Sequence, residues 1–162
     1  MTQVENAFVQ IIKGDLLKSD CNVMIHQANC FNTMGAGIAK QIKKLFPGAF
    51  EADKNFPIPV GSEERLGCFS HYFNGQVSIV NLYGQYRYGR GSVHTSYAGV
   101  EKALDSIIAH LASHRASGYT YKVGLPYSMG CGLAGGTWDI VYGIIQKIAN
   151  KYQYPIYIYK FK

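Results

Sequence analysis

Two glycine-rich segments carry the residue types best suited to holding an anion. They are Asn29-Cys30-Phe31-Asn32-Thr33-Met34-Gly35-Ala36-Gly37-Ile38-Ala39 and Ser128-Met129-Gly130-Cys131-Gly132-Leu133-Ala134-Gly135-Gly136. Each follows an apolar run of β type, and each leads into a helix-type pattern. A strand–glycine loop–helix unit turns backbone N–H groups and the positive end of a helix toward one spot. Glycine lets that backbone come close to a ligand. A phosphate suits such a place. Two of them in one short chain point to a ligand with two phosphates, or one phosphate and a sugar, held from both sides.

Residues that could do chemistry lie near these loops. His26 adjoins the first. Histidine titrates near neutrality, so it can act as acid or base on a phosphate monoester, and a histidine inside a strand can equally be a satisfied structural residue. Cys30 and Cys131 sit in the loops, where a helix N-terminus favours a thiolate, but no neighbouring His or acid in the sequence would activate either one. Asp139 follows Thr137 at the start of a helical pattern; it reads as a second acid–base group or as a carboxylate that complements the helix dipole. Tyr86, Tyr88 and Tyr127 offer rings for stacking. Cys21, Cys30, Cys68 and Cys131 form no CxxC pair, and His71, His94, His110 and His114 read as unpaired. No metal and no cofactor are therefore expected.

The elements that must position these residues follow from periodicity. Ala7 to Lys13, with Phe8, Val9, Ile11 and Ile12, reads as a strand closed by Gly14-Asp15. Asn22 to Gln27 is a second strand, ending at the first loop. Helical spacing at Ile38, Ile42 and Leu45 runs until Pro47 stops or interrupts it. Residues 47–66 are mixed and read as a short helix and a loop. Gly67 to Tyr72 and Gln76 to Tyr83 flank Asn74-Gly75, a strong hairpin signal. Tyr97, Val100, Leu104, Ile107 and Leu111 make the clearest helix. Tyr121 to Leu125 is a strand. Trp138, Val141, Ile145 and Ile148 mark another helix, and Tyr154 to Phe161 a last strand. Strands alternating with helices predict an α/β fold of three layers, α/β/α: a mixed, mostly parallel sheet with helices on both faces. Ligands of such sheets sit beyond the carboxyl ends of the strands, where both loops would lie.

Bulk properties narrow the function classes. The chain of 162 residues fits one domain over 1–162, with 48% hydrophobic and 16% charged residues. Its net charge of +6 favours anionic partners. Nucleic acid enters on that charge and on the run Tyr86-Arg87-Tyr88-Gly89-Arg90, but no recognised nucleic-acid motif accompanies it. Lys40, Lys43 and Lys44 read as a solvated helix face. The chain shows neither a signal peptide nor a membrane-spanning run, so no membrane partner and a cytoplasmic location are expected. A Rossmann dehydrogenase does not fit, because no GxGxxG follows the first strand.

Set on this element order, the motifs resemble the macro domain, an ADP-ribose-binding family, from Lys13-Gly14-Asp15-Leu16 to the last strand. Asp15, with Leu16, matches the element that contacts adenine in that family; the residue-level alternative is a capping carboxylate. Ile25-His26-Gln27-Ala28-Asn29-Cys30 matches its second strand and ribose-side Asn, here Asn29. Met34-Gly35-Ala36-Gly37-Ile38-Ala39 matches the first phosphate loop. The second is matched by Ser128 and Met129 leading into Gly130-Cys131-Gly132-Leu133, with Trp138 beyond. The acids and the lysine of two hydrolase groups are absent: no Asp closes the first loop, and Gln85 and Ala134 stand where a Lys and an Asp are used. The Ile-His element resembles the ADP-ribose-1″-phosphate phosphatase group. The resemblance implies a ligand that is ADP-ribose, a derivative of it or an ADP-ribosylated macromolecule. It further implies hydrolysis at the distal ribose, with His26 and Asn29 as catalytic residues, or else a reader that binds without chemistry.

Overall fold

A computed structural model describes residues 7–89 and 92–161. Six strands form one sheet: β1 (Val9–Lys13), β2 (Val23–Ala28), β3 (Phe69–Phe73), β4 (Ser78–Tyr83), β5 (Val123–Pro126) and β6 (Ile156–Lys160), in the order β1-β6-β5-β2-β4-β3. Neighbours run parallel except β3, which pairs antiparallel with β4. That pair is the hairpin expected around Asn74-Gly75. The Asn74 carboxamide accepts from the Gln76 and Val77 N–H groups, and Gly75 takes φ +99°, a left-handed angle that glycine adopts without penalty.

Side chains alternate across the sheet, as strand geometry requires. Ile25, Val80, Leu82, Val123, Leu125, Ile156 and Ile158 face α3 (Tyr97–Ala116) and α4 (Trp138–Tyr152), building the larger core. Met24, Ile79 and Tyr159 face the opposite layer of α1 (Gly37–Leu45) and α2 (Pro47–Lys54), where Ile42 and Ala49 meet them. β2, β4 and β5 are buried on both faces, which is why their sequences read as nearly continuous apolar runs. The expected layered α/β architecture is therefore present.

Pro47 opens α2 at its first position rather than merely closing α1, because a residue without an N–H loses nothing there. Lys40, Lys43 and Lys44 are exposed on α1 as expected. No described helix is long and apolar enough to cross a membrane.

Candidate functional site

Both glycine loops lie at the carboxyl edge of the sheet. The first leaves β2 and enters α1; the second leaves β5 and leads to α4. They form opposite walls of a cleft of about 690 Å³, a size typical of small-molecule sites. Asn29, Met34, Gly35, Ala36, Gly37 and Ile38 line one wall, and Ser128, Met129, Gly130, Cys131, Gly132 and Leu133 the other. The N-cap of α1, Ala36, makes no side-chain capping bond. Among the described residues, the backbone N–H groups of Gly35, Ala36 and Gly37, and those of Gly132, Leu133 and Ala134, find no acceptor. Each wall thus offers a set of unspent donors, one of them at a helix N-terminus. No Lys or Arg is among the described lining residues, so an anion here would be held by peptide dipoles.

The loops are pinned from below. Asn29 accepts from the Phe31 N–H at 2.8 Å and donates from Nδ2 to Thr33 Oγ1 at 2.6 Å. Asn32, at φ +58°, donates to the Asp53 carboxylate at 2.8 Å. Met34 and Met129 anchor their loops as buried side chains. In the second loop the Cys131 N–H donates to Ser128 O and the Gly136 N–H to Gly130 O, both at 2.9 Å.

His26 does not reach the cleft. It sits on β2 facing the α1/α2 layer and is fully buried, with its Nε2 2.6 Å from Asn81 Oδ1. Asn81 spends its own N–H groups on Ala49 O and Ser70 Oγ, so its oxygen accepts and His26 Nε2 donates. Burial holds the imidazole pKa below its ordinary value, against the opposing pull of the Asn81 bond. His26, expected to be catalytic, is thus found outside the cleft lining, sealed in a polar network between β2, β4 and α2. Asp15 and Leu16 are not lining residues either. The Asp15 carboxylate accepts from the Leu17 N–H at 3.0 Å and caps the short 3-10 turn Leu16–Lys18, while Leu16 is buried in the core.

The thiols are poorly placed as nucleophiles. Burial pushes Cys30 up to about 11, and burial also raises Cys131. Of the three tyrosines, Tyr88 and Tyr127 line the cleft, whereas Tyr86 packs edge-on against Phe31 and donates to Gly61 O. Asp139 is exposed in the first turn of α4, outside the lining, and Arg90 lies outside the described residues. Periodicity did not single out Gln27, Gln85, Thr33 or Asp53 as wall residues.

A second cavity, of about 400 Å³, opens at the opposite edge of the sheet. Its floor is apolar, with Val23, Val80, Ile107 and Leu111, and His71, His110 and His114 stand around it. His110 and His114 are not unpaired after all: one helical turn apart, their rings lie 4.4 Å from each other. No glycine loop reaches this cavity. Among the described residues no three ligating side chains are gathered for a metal.

The fold has clear relatives among solved structures. The macrodomain of Mycobacterium tuberculosis DarG superposes with a TM-score of 0.74 over 93% of this chain and 96% of that one, at 22% identity. The chain has the macrodomain fold. A second solved structure, Thermosipho africanus DarTG in complex with ADP-ribose, matches with a TM-score of 0.73 and 21% identity over 95% of this chain and 42% of that one. In sequence, an uncharacterized 17.5 kDa protein from the tk-vs intergenic region of Enterobacteria phage T4 is 29% identical over 154 residues, covering 91% of this chain and 94% of that protein. No family model matches the sequence.

Proposed function

We propose that the protein binds ADP-ribose in this cleft and removes a group from C1″ of its distal ribose, with a 1″-phosphate as the substrate the site suits best. One observation carries the reading: residues with unspent backbone donors line both walls of a single cleft at the loop ends of β2 and β5. A diphosphate flanked by an adenosine and a second ribose fills such a space. The ADP-ribose bound to the Thermosipho relative supports the same ligand class.

The available side chains favour phosphate over other leaving groups. Asp53 is the acid in the lining, and it is spent on Arg65, Tyr83 and Asn32. The cleft therefore lacks a free general acid among the described residues. A phosphate on C1″ needs none: the C1″–O bond breaks with its electron pair leaving on the phosphate, while a water adds at C1″ and gives up its proton to that phosphate. What the reaction needs is an oriented water and donors aimed at the developing charge. Asn29 retains one amide N–H and one lone pair beyond its loop bonds, enough to hold that water.

Phosphate release from ADP-ribose-1″-phosphate tests the proposal. The wild type is expected to release phosphate. Asn29→Ala is expected to lower kcat by about 10²-fold, the scale of losing one positioning or proton-handling group. The same lack of a free acid favours a second reading, a module that holds ADP-ribose without turnover. Saturable binding with no phosphate release anywhere from pH 5 to 9 would establish that reading in place of the first.

A further inference from the structure

Gln27, on β2, sends its side chain under the cleft to the far wall. Its Nε2 donates to Gln85 Oε1 and to Thr95 Oγ1, both at 2.9 Å. Thr95 Oγ1 in turn donates to Gly130 O at 2.6 Å. The polarity of this chain is fixed. Thr95 has one hydroxyl proton, and it is spent on Gly130; Gln85 spends an Nε2 proton on Arg87 O at 2.8 Å. Both neighbours thus present lone pairs to residue 27, and only a side chain with two protons on one atom satisfies them.

The packing agrees with the hydrogen bonds. Gln27 Oε1 is buried and has no partner. A Cβ added at Gly84 or at Gly130 would come within 2.6 Å of it. Gly130 is thus glycine for this contact and for its φ of +77°. Thr95 also fixes the loop further on, since the His94 and Thr95 N–H groups both donate to Ala134 O.

Gln27 lies two residues before Asn29, where the first loop begins. Gln27, through Thr95, therefore joins the strand that launches the first loop to the carbonyl on which the second loop turns. We infer that Gln27 is the positioning residue that sets the spacing between the two donor walls, and so selects a ligand long enough to span both. This rests on the ADP-ribose reading of the cleft. AMP, which lacks the distal phosphate and ribose, is the ligand that spacing should not affect.

The test is a titration of ADP-ribose and AMP into the wild type, Gln27→Glu, Thr95→Val and the double variant. Glutamate keeps the shape of residue 27 and turns its donors into acceptors. Each single variant is expected to weaken ADP-ribose by about tenfold or more, to leave AMP within about twofold, and to keep cooperative thermal unfolding. The double variant should be no more than about twofold worse than the weaker single, since one relay can be broken only once. Losses that multiply, equal losses for AMP, or unchanged ADP-ribose affinity in Gln27→Glu would overturn the inference. If Gln27→Glu does not fold, Gln27→Met, which fills the volume without donors, takes its place. Amide exchange at Thr95 and Gly136, whose N–H groups donate to Ala134 O and Gly130 O, gives a ligand-free arm: it should speed up in Gln27→Glu, and unchanged exchange contradicts the clamp. A wild type that ignores ADP-ribose contradicts the ligand reading instead, and the exchange arm still decides the clamp.

Discussion

The loop glycines divide by what a side chain would meet at each. At Gly132 an added Cβ finds nothing within 4 Å, so the position opens onto the cleft. Gly37 is equally open but holds φ +56°, and Gly130 is both left-handed and crowded by Gln27. Gly132→Val is therefore expected to leave thermal unfolding nearly unchanged and to weaken ADP-ribose by tenfold or more, roughly 1.4 kcal/mol or above in calorimetric titration. Gly130→Ala should instead lower the unfolding free energy by about 1–3 kcal/mol in denaturant titration, from backbone strain and crowding. The presence of glycine loops was legible in the sequence. Which glycine serves the ligand and which serves a neighbouring side chain was not, because Gln27 and Gly130 meet only through the sheet. His26 belongs to the same scale. Burial lowers its imidazole pKa below that of the unfolded chain, which takes up a proton as pH falls through about 6.5. The unfolded state then binds more protons, so stability present above that pH is lost as pH falls below it, by up to about 1.4 kcal/mol per pH unit. His26→Gln, which keeps a donor for Asn81 and cannot titrate, should flatten unfolding free energy between pH 6.5 and 5; an unchanged slope would remove His26 from the account.

Between elements, a buried ion pair holds the first loop. Arg65 Nη1 lies 2.8 Å from Asp53 Oδ1, with side chains 0% and 1% exposed. Asp53 also accepts from Tyr83 Oη at 2.7 Å and from Asn32 in the loop, while Arg65 Nε donates to Ile58 O at 2.8 Å. The end of α2, the 3-10 turn Glu63–Arg65 and the loop are thereby one unit. Arg65→Met should cost about 3–5 kcal/mol in denaturant unfolding, since it strands a buried carboxylate. A loss under about 1 kcal/mol would mean that the site relaxes or admits water. The elements themselves were largely readable, because helical and strand periods are local. Asp53 and Arg65 were not, since neither falls in a motif and their meeting depends on the fold of the stretch between them. His110 and His114 are the opposite case: their one-turn spacing was in the sequence, and only the helix gives it meaning.

At the scale of the molecule, parallel strands deliver two loops to one edge, and the cleft between them is lined by peptide donors with no described cation. The described lysines and arginines lie outside the lining, so the +6 charge of the chain does not itself define the ligand. What defines it is the pairing of two donor walls. Calorimetric titration with ADP-ribose, run beside AMP, measures that pairing directly. One site with a Kd of about 1–10 µM, roughly −7 to −8 kcal/mol, is expected, with AMP at least about tenfold weaker. No saturable heat with ADP-ribose at millimolar concentration, or equal affinity for AMP, would contradict it.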